Sequence, residues 1–254
     1  MTLGKVYLVG AGPGHPDLLT VRAASLIEAA DVIVYDRLIQ EHVLSRARPG
    51  AERVFVGKII GGPVTQQDRI HEILLAKARE GKMVVRLKGG DPFMFGRGGE
   101  EAEALAEHGV PFEVVPGVSS TVAAPLRALI PVTHRGVASC VAFATGHELQ
   151  DGDSQLDWEA LSRMPTLVFV MALQSLRRTT GRLMEHGRPA STPAAVIHAA
   201  FWDDEQIVTG TLGTIADLVE AAGVPAPATL VVGDVVRLRE KLGGSRCGAA
   251  GSGG

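Results

Sequence analysis

Short apolar runs alternate with amphipathic stretches along the first half of the chain. Strands are predicted at residues 6–10, 32–35, 53–56, 83–88 and 112–115, and the runs at 32–35 and 53–56 are typical of buried parallel strands. The stretches with apolar residues at helical spacing cover residues 18–30, 65–80 and 100–108. Asp17 and Thr65 are the predicted N-caps of the first two helices, and Gly81 ends the second. This alternation predicts an α/β fold whose parallel sheet carries helices on both faces.

A proline and a glycine, Pro116 and Gly117, follow the strand at residues 112–115. We place a domain boundary there, which gives one α/β lobe at residues 1–115 and a second at residues 116–242. In the second lobe, helices are predicted at residues 119–129, 173–185 and 214–222. Strands are predicted at residues 141–144, 166–170, 195–198, 206–209 and 229–232. Residues 243–254 are mostly Gly, Ala and Ser, a composition that predicts a flexible tail.

The composition narrows the class of protein. Of the 254 residues, 46% are hydrophobic and 21% are charged, a balance typical of a globular domain. The net charge of -3 supplies no basic field, so a nucleic-acid partner is not expected. No apolar run is long enough to span a bilayer and no secretory signal is recognisable, so we expect a cytoplasmic protein without a membrane partner. Cys140 and Cys247 have no partner at metal-ligand spacing, and no metal site is expected.

A glycine-rich loop follows the first strand and reads Gly10-Ala11-Gly12-Pro13-Gly14-His15-Pro16. With Asp36 at the end of the next strand, the loop is similar to a dinucleotide site, where backbone amides bind a pyrophosphate and an acid binds the ribose. However, His15 stands where the third glycine of that fingerprint belongs, and Pro13 lacks a backbone N–H. A dinucleotide-dependent oxidoreductase therefore has less support than a rigid loop that does not cradle phosphate.

A second glycine-rich segment, at residues 88–101, reads Lys-Gly-Gly-Asp-Pro-Phe-Met-Phe-Gly-Arg-Gly-Gly-Glu-Glu. Its glycines permit a ligand to approach the main chain closely. Asp91 can accept hydrogen bonds from an amino group or a ribose, and Arg97 can bind a carboxylate with both arms of its guanidinium. The segment therefore predicts a small-molecule site. The acidic run at residues 100–107 is expected to be mostly a solvated helix face.

These two loops resemble those of the uroporphyrinogen-III C-methyltransferases, within the tetrapyrrole methyltransferase family. The same resemblance continues, in matching order and spacing, at residues 34–38, 115–120 and 131–135. It implies the class III methyltransferase fold, an α/β chain with a parallel-sheet N-terminal lobe and a mixed-sheet C-terminal lobe. It also implies that S-adenosylmethionine binds between the lobes and that the protein is a homodimer.

The resemblance further implies which residues bind the cofactor and which take part in catalysis. The implied cofactor residues are Pro13, Gly89, Gly90, Asp91, Met94, Ser119, Ser120, Met171 and Ala200. Asp36 and Lys58 correspond to residues with acid–base roles in the family. Arg97 and Glu100 correspond to residues proposed to engage the substrate or to assist its deprotonation.

The implied reaction moves methyl groups from S-adenosylmethionine to pyrrole carbons on rings A and B of uroporphyrinogen III. The products are S-adenosylhomocysteine and precorrin-2, a precursor of sirohaem, cobalamin and haem d1. Because the ring carbon is already electron-rich, the enzyme's work is to align the reactants in a dry site and to remove a proton. The substrate is rich in carboxylates, which makes arginines its expected ligands, with Arg97 first, followed by Arg37, Arg127 and Arg135.

The chain departs from the family pattern in three segments, Lys58-Ile59-Ile60-Gly61, Val170-Met171-Ala172 and residues 200–204. The first of these falls in a predicted substrate-facing loop, which lacks an arginine and a histidine common in the family. A methyltransferase acting on a later precorrin is therefore the main alternative. A protein that binds tetrapyrroles without methylating them is another, and it predicts tight porphyrinogen binding with no methyl transfer.

Overall fold

A computed structural model gives the structure of the protein and describes residues 2–57, 67–146 and 156–244. The chain divides into two compact units, Met1–Ser119 and Ser120–Gly254, and a five-stranded sheet forms the centre of each. Within the described ranges, no helix is both long enough and apolar enough to cross a bilayer.

The sheet of the first unit is entirely parallel. Its strands are β1 (Val6–Gly10), β2 (Val32–Tyr35), β3 (Glu52–Phe55), β4 (Val84–Lys88) and β5 (Phe112–Val115). They lie in the order β3-β2-β4-β1-β5, and every neighbouring pair is parallel. The predicted parallel sheet is thus confirmed, and the carboxyl ends of all five strands meet at one edge.

Helices cover both faces of this sheet because successive strand residues point to opposite sides. These helices are α1 (Val21–Ala29), α2 (Glu41–Leu44), α3 (Gln67–Arg79) and α4 (Gly98–Glu107). On one face, Val85 and Leu87 of β4 pack in a cluster with Ile27 of α1. On the other face, Val84 packs with Leu105 of α4. Alternation along β4 therefore separates two hydrophobic cores.

The second unit has a mixed sheet, as the resemblance implied. Its strands are β6 (Val141–Thr145), β7 (Thr166–Val170), β8 (Pro193–His198), β9 (Gln206–Thr211) and β10 (Ala228–Val232). They lie in the order β6-β7-β10-β8-β9, with β6 and β7 parallel and the other pairs antiparallel. The helices of this unit are α5 (Ser120–Arg127), α6 (Trp158–Ser162), α7 (Leu176–Glu185), α8 (Ile215–Ala221) and α9 (Leu238–Lys241).

Helix ends differ from the sequence predictions where local hydrogen bonds decide them. The prediction that Asp17 caps the first helix is wrong, because Asp17 lies in a separate 3₁₀ turn and Thr20 caps α1. The Thr20 hydroxyl oxygen accepts the Ala23 N–H at 3.1 Å. Gly81 follows the end of α3 in the left-handed conformation, with φ +77°, as predicted. The predicted cap Thr65 and tail residues 245–254 lie outside the described residues.

Candidate active site

Two predicted ligand loops meet at the carboxyl edge of the first sheet. The loop after β1 and the loop after β4 are joined by a bridge in which Gly12 N–H donates to Gly90 O at 3.1 Å. In return, Gly90 N–H donates to Gly12 O at 2.7 Å. Because Gly12 N–H already has this partner and Pro13 has no N–H, the first loop is a poor phosphate cradle. This geometry supports the sequence argument against a dinucleotide site.

Two glycines at this edge are required by packing of main chain against main chain. A Cβ on Gly10 would lie 2.5 Å from Gly117 N and 2.6 Å from the Gly90 carbonyl oxygen. Neither of those backbone atoms can move aside as a flexible side chain would. Gly10 and Gly117 are therefore needed to build the edge, whether or not a ligand also approaches it.

The Asp91 carboxylate is held in place by two backbone donors. Phe93 N–H donates to Oδ1 at 2.9 Å, and Gly117 N–H donates to Oδ2 at 3.1 Å. Asp91 thus ties the loop after β4 to the residues after β5. Each carboxylate oxygen retains a lone pair, so Asp91 can also accept a hydrogen bond from a ligand.

The remainder of the second loop exposes large side chains on a constrained backbone. Gly98 N–H donates to Pro92 O at 3.0 Å and closes the loop. Phe95 and Arg97 adopt left-handed conformations, with φ of 55° and 57°, which are uncommon for residues with a side chain. Phe95 and the predicted cofactor residue Met94 are each 38% exposed. The loop therefore holds Met94 and Arg97 outward, where a ligand can reach them.

Arg97 and Glu100 form a two-point ion pair at the start of α4. Arg97 Nε lies 2.8 Å from Glu100 Oε1, and Arg97 Nη2 lies 2.7 Å from Glu100 Oε2. The hydrogen bond to Arg97 holds the pKa of Glu100 below its ordinary value, and the same bond raises the pKa of Arg97. Glu100 also lies in the first turn of the helix, where the dipole favours a negative charge. The structure thus places these two predicted catalytic residues in direct contact.

A buried charge cluster lies behind the loop, and sequence reasoning missed it. Arg86 and Lys88, both 4% exposed, point from β4 to Glu101, which is 0% exposed. Glu101 Oε1 accepts from Arg86 Nε at 3.0 Å and from Lys88 Nζ at 2.8 Å. Burial lowers the pKa of Lys88, the Arg86 charge lowers it further, and Glu101 opposes both effects.

The prediction that the acidic run is mostly a solvated face is therefore wrong for Glu101, which lies against β4. Its Oε2 is buried and has no hydrogen-bond partner among the described residues. The available signal was the pair of cations in an otherwise apolar strand, because buried cations require a buried anion.

Asp36 lies at the carboxyl end of β2, beside this cluster. Leu38 N–H donates to Asp36 Oδ1 at 3.0 Å, and Arg86 Nη2 lies 3.5 Å from Oδ2. The neighbouring Arg37 is exposed and makes no hydrogen bond or ion pair with the residues that the structure describes. Lys58, the other predicted acid–base residue, lies outside those residues.

The remaining predicted cofactor residues lie near the division of the chain and in the second unit. Ser119 is the last residue of the first unit and Ser120 the first of the second. Met171 and Ala200 follow β7 and β8, which are both antiparallel to β10 and so end at the same edge of the second sheet. Met171 is in a left-handed conformation, with φ 54°, and is 48% exposed, whereas Ala200 is buried. The structure thus brings Met171 and Ala200 to one edge.

Two candidate substrate arginines of the second unit differ in their surroundings. Arg135 is exposed in the turn closed by the bridge between His134 and Ala138, and its guanidinium has no polar partner in the described parts of the chain. Arg127, by contrast, donates from Nε to Glu205 Oε2 at 2.8 Å. It also lies over the Phe201 ring, 5.6 Å from the centroid. Arg135 is thus the freer of the two for a substrate carboxylate.

The described residues contain no group of three or more His, Cys, Asp and Glu side chains suited to hold a metal ion.

The sequence itself matches the tetrapyrrole (corrin/porphyrin) methylases over residues 5–216. This chain belongs to the tetrapyrrole methylase family. The resemblance carried by the two loops is therefore confirmed, and so is the fold class that it implied.

Two named proteins illustrate which sequences this chain is similar to. The S-adenosyl-L-methionine-dependent uroporphyrinogen III methyltransferase of Methanosarcina barkeri is 51% identical over 247 residues, which cover 96% of this chain and 97% of that protein. The siroheme synthase of Pseudomonas putida is 50% identical over 240 residues, which cover 94% of this chain and 52% of that protein. The chain thus spans about half the length of this siroheme synthase and almost all of the methyltransferase.

Solved structures of the family have the same fold. The uroporphyrin-III C-methyl transferase of Thermus thermophilus, complexed with S-adenyl homocysteine, is 43% identical with a TM-score of 0.80, and the match covers 92% of this chain and 100% of that one. A cobalt precorrin-4 methyltransferase is 29% identical with a TM-score of 0.82, covering 91% of this chain and 95% of that one. Methyltransferases with different named substrates thus share the fold. The TM-scores of the two structures are nearly equal, whereas their sequence identities to this chain differ.

Proposed function

We propose that this chain is an S-adenosylmethionine-dependent C-methyltransferase that acts on uroporphyrinogen III. The observation that carries this proposal is 51% identity to a methyltransferase of that name, over 96% of the chain. The reaction adds one methyl group to each of rings A and B and yields precorrin-2 and S-adenosylhomocysteine. Its place is in sirohaem and cobalamin biosynthesis, consistent with 50% identity to a siroheme synthase.

The loop after β4 suits this cofactor. When bound, S-adenosylmethionine supplies a methyl group activated by a positively charged sulfur. The Asp91 carboxylate, fixed by two backbone N–H groups, has lone pairs available for amino or hydroxyl groups. Gly89 and Gly90 add no side chain that would block such a ligand. The proposed cofactor contacts are Pro13, Gly89, Gly90, Asp91, Met94 and Ser119 in the first unit, and Ser120, Met171 and Ala200 in the second.

Arg97 is the proposed first contact of a substrate carboxylate. Its Nε and Nη2 donate to Glu100, but Nη1 and the second Nη2 hydrogen are not engaged by that pair. Arg97 can therefore bind a carboxylate while Glu100 holds the guanidinium in orientation. Arg37 and Arg135, which are exposed, are proposed to bind further carboxylates of the same substrate.

Asp36 is proposed to accept the proton that the ring loses. Each methyl transfer forms a carbon–carbon bond, breaks a carbon–sulfur bond and leaves one extra positive charge on the ring. A bond between the ring and hydrogen then breaks, the proton passes to an Asp36 oxygen, and the electron pair of that bond stays on the ring and cancels the added charge. Lys58 is proposed to act with Asp36 in this acid–base step, as the resemblance implies.

The protein is further proposed to be cytoplasmic, and the family resemblance supports the proposal that it is a homodimer. Sedimentation velocity of the purified chain tests the dimer. A species of twice the 26.6 kDa chain mass is expected, and a monomer at micromolar concentration would contradict it.

The activity is tested by anaerobic incubation of the protein with uroporphyrinogen III and S-adenosylmethionine, followed by mass and absorbance measurements. A gain of two methyl groups is expected. Arg97→Ala and Asp91→Ala are expected to lose most of this activity. Asp91→Ala should weaken binding of the cofactor, and Arg97→Ala should weaken binding of the substrate. Arg163→Ala is the matched control, because Arg163 forms an exposed ion pair with Glu159 on α6.

The outcomes separate the competing functions. Cofactor binding without methylation of uroporphyrinogen III would favour a later precorrin as substrate. Tight binding of the porphyrinogen without any methyl transfer would favour a carrier protein. Failure to bind S-adenosylmethionine would refute the proposal.

A further inference from the structure

We infer that Arg86 is a positioning residue for the Asp36 carboxylate in the methyltransferase reaction. This inference rests on the proposed function, in which Asp36 accepts a proton. Arg86 does not reach a substrate in this role. It acts by fixing the direction of the group that does.

Both oxygens of Asp36 have a fixed neighbour. The Leu38 N–H holds Oδ1 at 3.0 Å, and the Arg86 Nη2 lies 3.5 Å from Oδ2. The second distance is that of an ion pair rather than a short hydrogen bond, and catalytic contacts commonly shorten once substrate is bound. Together the two neighbours restrict rotation of the carboxylate, which is 25% exposed and so open to a reactant.

Arg86 is itself anchored strongly enough to orient another group. Its Nε donates to Glu101 Oε1 at 3.0 Å, and its Nη1 donates to the Leu87 carbonyl oxygen at 2.9 Å. The guanidinium is planar, so fixing Nε and Nη1 also fixes the direction of Nη2. A main-chain carbonyl of β4 and a buried acid therefore aim the remaining nitrogen at Asp36.

Lys88 provides an internal comparison. It is equally buried and shares the same Glu101 oxygen, at 2.8 Å. Its hydrogen bond within the described residues goes to Glu101, and its effect on Asp36 is a longer-range attraction between charges. Loss of Lys88 removes a buried cation of the cluster, whereas loss of Arg86 also removes the neighbour of Asp36 Oδ2.

The test is a set of double-mutant cycles on methyl transfer to uroporphyrinogen III. Arg86→Gln is expected to lower kcat by about 10- to 100-fold, because a proton acceptor misplaced by about 1 Å loses on the order of 100-fold in rate. The KM values for both substrates are expected to stay within about 2-fold, as for a residue that acts only on the chemical step. In an Asp36→Asn background, Arg86→Gln is expected to change kcat by less than about 2-fold.

Two further variants distinguish a folding defect from a loss of positioning of Asp36. Arg86→Gln combined with Glu101→Gln removes one buried charge of each sign, and it is expected to lower kcat as Arg86→Gln does. Lys88→Met keeps the contact between Arg86 and Asp36, so it is expected to lower kcat by less than Arg86→Gln does. Calorimetric affinity for S-adenosylhomocysteine, unchanged in all variants, reports an intact fold.

The inference is overturned if both Arg86 variants keep kcat within about 3-fold of the wild type. It is also overturned if their losses multiply with that of Asp36→Asn, or if Lys88→Met lowers kcat as much as Arg86→Gln does. A wild-type protein that transfers no methyl group to uroporphyrinogen III would instead overturn the proposed function, and the inference with it.

Discussion

The Lys88 ammonium lies 2.8 Å from Oε1 of Glu101, and both side chains are buried in the first unit. Taking two charges out of water costs several kcal/mol for each ion, so such a pair persists only with close geometry and additional partners. Arg86 is the additional partner here, at 3.0 Å from the same oxygen. One acid thus serves two buried cations at the end of β4.

Removal of Glu101 alone is therefore expected to be costly. Glu101→Ala leaves two buried cations without their shared anion, and the free energy of unfolding should fall by about 3–5 kcal/mol. The double variant Lys88→Met/Glu101→Gln removes one charge of each sign and should lose less. Urea unfolding followed by circular dichroism measures both. Glu103→Ala, at an exposed position of the same helix, is the control and should stay within about 0.5 kcal/mol of the wild type.

The Arg97–Glu100 pair predicts a pH-dependent contribution to stability. Arg97 holds the pKa of Glu100 below its ordinary value of 4.5, so the unfolded chain takes up this proton at a higher pH than the folded one. The stabilisation is fully present above pH 4.5 and is lost as the pH falls through the lower, folded-state pKa. Because the pair is about half exposed, Glu100→Gln should lower stability by less than about 1 kcal/mol at pH 7.

Urea unfolding of the wild type and of Glu100→Gln at several pH values tests this. The difference between them should shrink at acidic pH and also in high salt, which screens exposed charges. A difference that grows as the pH falls would contradict the assignment.

Two glycine substitutions separate packing from backbone flexibility. Gly10→Ala would place a Cβ 2.5 Å from Gly117 N and 2.6 Å from the Gly90 carbonyl oxygen, so the loops must move apart. We expect a loss of more than about 2 kcal/mol, by the overpacking mechanism, together with weaker binding of S-adenosylmethionine. Gly99→Ala is the matched control, because nothing lies within 4 Å of its Cβ and the residue is in α4. It should be neutral or stabilising by up to about 1 kcal/mol. Thermal unfolding and calorimetry decide between these outcomes.

Arg127 is expected to support the loop after β8 rather than the substrate. Its partner Glu205 also accepts the Phe201 N–H at 2.9 Å, so the ion pair and this bond hold one loop. Arg127→Gln should lower stability by about 1 kcal/mol and leave the KM for uroporphyrinogen III within about 2-fold. Arg97→Ala, assayed in parallel, should raise that KM. A large KM increase in Arg127→Gln with unchanged stability would contradict this and would indicate that Arg127 binds a substrate carboxylate.

The strands were the most predictable part of the fold. The predicted strands at residues 6–10, 32–35, 112–115 and 166–170 match those of the structure at both ends. Most of their ends coincide with residues that interrupt a strand, so the sequence alone defines those ends; these residues are Asp31, Asp36, Pro111, Pro116 and Pro165. Helix α7 was predicted three residues too early, because its start depends on the turn at Ser175 rather than on periodicity. Helices α2, α6 and α9 are too short to show a period.

The candidate site was predictable at its surface and not beneath it. Asp91, Arg97 and Glu100 stand in an unusual glycine-rich segment, so they can be recognised as candidate site residues from the sequence alone. The contact of Glu101 with β4 depends on how α4 lies on the sheet, and a helical period does not reveal it. Likewise, Asp36 was recognisable at a strand end, but its neighbour Arg86 became apparent only from the pairing of β2 with β4.

The bridge between Gly12 and Gly90 couples the positions of two loops that are far apart in the sequence. A change that shifts the loop after β1 must stretch or break hydrogen bonds to the loop after β4, and the reverse also holds. A substitution that displaces one loop therefore also displaces the other or loses these hydrogen bonds. An engineer who wishes to transplant this ligand edge into another parallel sheet would have to move both loops, with their glycines, as a single graft.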